Sequence, residues 1–352
     1  MNVSGRIPPL LLLTALATLL VAAMLFAAGS GAYALRPSEV LAILLQTIGI
    51  DIGVPVTEQQ SAVLLQIRLP RVLLAVLTGG GLALGGAALQ ALFRNPLADP
   101  TLIGVSAGAA VAAAGVITLG ATVVPGLARI AGIATLPIAA FIGGLAVTLL
   151  VYRMAQVSGQ TSLAVMLLAG IAMNALAFAG VGFFTFVAND EQLRNIAFWN
   201  LGSLGAASWP VLAFVAPCVL AGCAFLAGCA KPFNALALGE IQASHLGFNV
   251  ERVKLAAIVC AALVVGALTA ITGIINFVGL VAPHMVRLAG GPDHRVVLPG
   301  SVLLGGTLVT VSDVAARTLV APAEMPIGIV TAFLGVPVFL ILLARSRRDW
   351  RI

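Results

Sequence analysis

The sequence predicts an all-α polytopic membrane protein with about ten spans, and three observations predict it. Only 9% of its 352 residues are charged and 61% are hydrophobic, against roughly 25% charged in ordinary soluble domains. Apolar runs of about 20 residues, the length needed to cross a bilayer, recur along the whole chain. Its 38 glycines and 18 prolines suit a helical bundle in lipid, where small residues admit close helix approach and proline is tolerated.

Taken in order, the spans fall at 8–28, 64–90, 101–120, 134–153, 163–187, 208–230, 253–273, 277–289, 299–318 and 327–344. The first is retained as a span and is not a cleaved leader, because a polar loop without a convincing cleavage site follows it. The eighth is too short for an ordinary span and is interrupted by Gly279 and Pro283. It reads as a half-helix or part of a broken helix, the type of element that lines transporter pathways. Similar Gly/Pro-broken turns at 95–100 and 279–284 point to an inverted repeat relating spans two to five with spans seven to ten. The polar stretches are 29–62, 188–207 and 231–251. None is a separate soluble domain, so residues 1–352 read as a single transmembrane domain.

Net charge is +6, but the basic residues stand singly or close apolar runs, which reads as a topology signal and excludes nucleic acid as a partner. With the N-terminus inside, twelve basic residues fall on cytoplasmic ends: Arg6, Arg94, Arg153, Lys231, Arg252, Lys254, Arg287, Arg295, Arg345, Arg347, Arg348 and Arg351. Six remain outside: Arg36, Arg68, Arg71, Arg129, Arg194 and Arg317. Both termini are therefore expected in the cytoplasm.

No catalytic residue is assigned. Neither Lys231 nor Lys254 follows a glycine, so there is no P-loop, and any ATP must be hydrolysed by another chain. Gly104-Val105-Ser106-Ala107-Gly108 matches the nucleophile elbow G-x-S-x-G. An intramembrane serine protease is the alternative it raises, but Gly and Ser at helical spacing serve close packing far more often. No metal site is assigned either. Cys218, Cys223, Cys229 and Cys260 lie in apolar runs without a CxxC and read as packing residues. His284 reads as a cap or a partner contact in preference to a metal or haem ligand. Asp313 and Arg317, four apart in an apolar span, read as an ion pair within one helix. Arg68 and Arg71 share a face at an outer helix end and suit equally snorkelling or docking of external carboxylates. Residues 236–247, cytoplasmic and mixed in polarity, carry Leu236, Leu238, Ile241 and Leu246 at near-helical spacing. That pattern predicts a short amphipathic helix seated in a groove of a cytoplasmic partner.

Together these stretches resemble the FecCD family of permeases. The resemblance rests on Ile67-Arg68-Leu69-Pro70-Arg71, on Asn95-Pro96-Leu97-Ala98-Asp99-Pro100 running into 104–108, on 199–205 and 236–247, and on 276–284 with Arg287, 293–295 and 323–328. It covers nearly the whole chain from about 60 onward, and Asn276 stands where many relatives have Gly or Ala. It implies a type II ABC importer permease fold working as a homodimer in the bacterial inner membrane. Two ATPase subunits carrying ATP and Mg would sit beneath, and a periplasmic substrate-binding protein would dock above. By the same resemblance Leu236, Leu238, Gly239, Glu240, Ala243, Leu246 and Gly247, within about 231–251, form the ATPase coupling region. Asn95, Leu97, Thr161 and Ser162 form cytoplasmic gates, and Arg68, Arg71 and Arg317 dock the binding protein. The chain is expected to bind no cofactor of its own and to move haem by alternating access, since its C-terminal stretch is most like the haem branch. Iron-siderophore and cobalamin are the alternative cargoes.

Overall fold

The computed structural model describes residues 7–31, 33–123 and 132–349; Arg6, Arg129 and Arg351 lie outside the described residues. Helices α1 Pro9–Gly29 and α2 Pro37–Gln46 lead into α3, Glu58–Phe93, of which Val63–Arg68 is π-helical. A 3-10 turn, Pro100–Ile103, precedes α4, Val105–Val123. Then come α5 Thr135–Met154, the hairpin β1 Gln156–Val157 with β2 Gln160–Thr161, and α6 Leu163–Val187. They are followed by α7 Asp190–Leu201, α8 Trp209–Gly228, α9 Ala230–Leu238 and α10 Glu240–His245. The chain continues through α11 Val250–Thr272, α12 Val278–Gly290, α13 His294–Thr318 and α14 Ile327–Asp349.

Among the described residues seven helices are long and apolar enough to cross a membrane: α1, α3, α5, α6, α8, α11 and α13. The shorter apolar helices Val105–Gly120, Val278–Gly290 and Ile327–Ile341 fall on the remaining three expected spans. The eighth span is a short helix of 13 residues, but it is not interrupted at Gly279 or Pro283: both lie inside the continuous helix, and the irregular stretch is 273–277, before it.

Helix α3 is the centre of the bundle and packs against α8, α11, α12 and α13. Its glycines make that possible. A methyl group on Gly79 would overlap the carbonyl oxygen of Gly305 in α13, and one on Gly86 would overlap that of Gly279 in α12. By contrast α1, α6 and α8 bury little of their length and expose Phe26, Phe178, Phe183, Phe186 and Phe214, as lipid-facing helices do.

The packing has internal symmetry. Helix α3 meets α12 and α13 as α11 meets α4 and α5, and α4 packs on α5 as α12 packs on α13. The operation that relates α3–α6 to α11–α14 therefore preserves the contacts. Five spans separate the start of one set from the start of the other, so the two run in opposite directions and the repeat is inverted.

Candidate functional site

The two ends of the bundle carry different chemistry. At the end where α1 finishes, α1 leaves carbonyls without intrahelical partners. Two arginines from other helices supply them. The Arg68 guanidinium donates to the carbonyls of Ala28 and Gly29, each at 2.9 Å, and to that of Tyr33. Arg317 donates to Ser30 at 3.0 Å and Ala27 at 2.6 Å. Positive charge at a helix C-terminus also complements the helix dipole. Arg317 pairs with Asp313 at 3.3 Å, the i, i+4 pair expected from the sequence, and Arg71 reaches the same carboxylate at 2.9 Å. Arg71 then forks onto both oxygens of Glu324, at 2.9 and 3.0 Å. Of this cluster Arg68 is only 4% exposed and Asp313 is buried, while Glu324 faces solvent. Hydrogen bonding from Arg71, with the nearby positive charges, holds the Glu324 carboxyl below its usual range. Arg68 and Arg71 lie three apart but serve different elements, so Arg68 is a capping group and Arg71 the one whose partner lies at the surface.

The opposite end holds the segment expected to be one amphipathic helix. It is two, α9 and α10, because Gly239 breaks it with φ 126° and ψ 157°, a conformation that glycine adopts without a Cβ penalty. The break sorts the apolar residues. Leu236 turns inward and packs with Phe233 and Ala243 against Leu84 and Ala88 of α3 and Ala257 of α11. Leu238 and Ile241 stay 67% and 71% exposed, with Leu246 exposed beside them, and Gly247 with φ 88° turns the chain toward α11.

Glu240, at the start of α10, accepts from Lys254 at 2.8 Å. Lys254 also donates to Glu251 at 2.9 Å and to the Thr161 carbonyl at 3.1 Å. Glu251 in turn accepts from the Thr161 amide at 2.9 Å and hydroxyl at 2.7 Å. Ser162 caps α6, accepting from the Val165 amide at 3.4 Å. The other candidate gate lies where α3 ends with Arg94 left-handed. There the Asn95 side chain accepts from the Leu97 amide at 2.9 Å, a local turn that presents Leu97 to solvent. Beside it Gln90, buried in α3, donates to the Leu280 carbonyl at 3.1 Å and accepts from Arg287 at 3.0 Å. Sequence reasoning left out Gln90, Glu251 and Lys254. The i, i+3 spacing of Glu251 and Lys254 is the local signal that could have marked them as a pair.

Ser106 lies buried near the start of α4, and the elbow motif around it is a crossing point. Gly104 takes φ 81°, and a side chain on Gly108 would meet the Gly143 carbonyl in α5. Among the described residues no histidine or carboxylate hydrogen-bonds to Ser106.

Among the described residues, seven long and three shorter apolar helices with an inverted repeat make the architecture of a transport permease. The chain belongs to the FecCD transport family, whose model matches residues 19–345. It is 41% identical over 346 residues to the hemin transport system permease protein of Yersinia pestis, covering 98% of this chain and 99% of that one. To the cobalamin import system permease protein of Halobacterium salinarum it is 41% identical over 294 residues, 84% of this chain and 76% of the other. To the vitamin B12 import system permease protein of Escherichia coli O9:H4 it is 40% identical over 287 residues, 80% and 84%. A solved structure described as an inward-facing conformation of a metal-chelate type ABC transporter matches with TM-score 0.81 and 31% identity, covering 95% of this chain and 98% of that chain. The protein is thus the permease component of a type II ABC importer.

Proposed function

We propose that this chain acts as one transmembrane permease domain that carries haem from periplasm to cytoplasm, driven by ATP hydrolysed on two separate ATPase subunits. Two copies would enclose the path in a bacterial inner membrane, and a periplasmic binding protein would deliver cargo. Coverage carries the haem reading. Identity to the hemin and cobalamin relatives is nearly equal, but the hemin permease matches 98% of the chain against 84% and 80% for the others. Cobalamin is the second reading, favoured by that same near-equality.

In this reading exposed Leu238, Ile241 and Leu246 seat in a groove of the ATPase. Asn95, Leu97, Thr161 and Ser162 bound the cytoplasmic exit. At the outer face Arg68, Arg71 and Arg317 form the positive floor of the docking site. Arg71 is its accessible charge, because a carboxylate of the binding protein can compete with exposed Glu324 for the guanidinium fork. Transport then alternates between outward- and inward-facing states, with direction set by their different affinities for cargo.

The test is ATPase stimulation in proteoliposomes by the binding protein loaded with hemin, ferric siderophore or cobalamin. Hemin should stimulate most and accumulate inside. Strongest stimulation and uptake with cobalamin would replace haem by the second reading.

A further inference from the structure

We propose that Lys254 is a positioning residue that locks the coupling helix α10 to the gate hairpin β1–β2, so that movement of one carries the other. The inference deepens the proposed function and rests on the ATPase seating on α10. An ammonium has three N–H donors and no acceptor. Here the three go to three segments: Glu240 on α10, Glu251 on α11 and the Thr161 carbonyl on β2. Glu251 closes the loop by holding the Thr161 amide and hydroxyl. Lys254 is 2% exposed, and a buried charge stripped of a partner is strongly unfavourable. Swinging α10 away from the hairpin would therefore take one of its two carboxylates from the buried ammonium.

The surroundings fit a transmission point better than a static brace. Glu240 and Glu251 both reach solvent and line an open groove between α10 and the hairpin, together with Gln160, Ser244 and His245. Apolar packing alone would hold α9, through Phe233 and Leu236. α10 adds only Ala243 to that core, so its link to the hairpin runs through charge-assisted hydrogen bonds. Such a link transmits displacement because separating α10 from the hairpin would break a charge-assisted hydrogen bond to a buried ammonium.

The experiment uses the full permease with its ATPase subunits in proteoliposomes, with hemin-loaded binding protein. ATPase co-purification, ATP hydrolysis and hemin uptake are measured in one preparation. Lys254→Met and Glu251→Gln should both co-purify the ATPase and hydrolyse ATP, while hemin moved per ATP falls about fivefold or more. Lys254→Arg, which keeps the charge, should return that ratio to within about twofold of wild type. Glu251→Gln leaves Lys254 still paired with Glu240, and it carries the test if Lys254→Met does not assemble. An unchanged hemin-to-ATP ratio in the variants overturns the proposal. So does loss of ATPase co-purification in both, which would make Lys254 a mere brace for α10. A wild type that binds no ATPase or moves no hemin overturns the underlying reading, and the proposal with it.

Discussion

At the scale of single residues, burial decides what each arginine does. A guanidinium at a membrane boundary can snorkel, dock a partner or satisfy the backbone, and Arg68 is drawn inward by carbonyls that α1 cannot satisfy itself. An unpaired carbonyl in lipid costs several kcal/mol. Arg68→Met should therefore lower stability by about 1–3 kcal/mol, read as a fall in Tm of the detergent-solubilised permease. Arg68→Lys should fall between the two, because a compact ammonium cannot reproduce the planar fork. A wild-type Tm for Arg68→Met would return Arg68 to a docking role alone. That arginines stand at this boundary was legible from their place at the ends of apolar runs. Which of them would face inward was not, because Arg68 and the Ala28 carbonyl are 40 positions apart and nothing local links them.

At the scale of elements, glycine sets how closely helices approach. The crossings of α3 with α12 and α13 bring backbone against backbone, so the usual cost of inserting a methyl, about 1–3 kcal/mol, is a lower figure for Gly79→Ala. That variant should show a clear loss of Tm and of folded yield in detergent. Gly182→Ala in α6 is the control, because a methyl there meets nothing within 4 Å and should leave both unchanged. Equal behaviour of the two variants would remove close approach as the basis of the α3–α13 crossing. The spans themselves were legible: each expected apolar run falls on a helix, including the short α12, but Gly279 and Pro283 lie inside that helix and the irregular backbone falls just before it, at 273–277. The division of residues 236–247 into two helices was not. The apolar spacing is continuous across Gly239, and a single residue's positive φ leaves no periodic trace.

At the scale of the whole molecule, the expected sidedness rests on charge asymmetry and on the number of spans. Ten spans return the chain to its starting side, and Ile7 at the foot of α1 hydrogen-bonds Ala289 at the end of α12 at 3.0 Å, near Arg287 and the α10 end. Reporter fusions at Ser158 in the hairpin and at Ile352 should report the cytoplasm, and one at Ala323 the periplasm. A periplasmic signal from Ser158 would invert the topology and remove α10 from reach of an ATPase.

By itself the sequence determined the solvent, the count and rough limits of the spans and the shortness of the eighth. These follow from composition and from periodicity over some twenty residues or fewer, distances at which a chain acts on itself. Only the tertiary structure decided how the charges pair. Arg71 and Asp313 are 242 positions apart, and Lys254 and Thr161 are 93 apart. Those partners meet because separate helices pack together, and their affinity for one another leaves no mark on the residues between them.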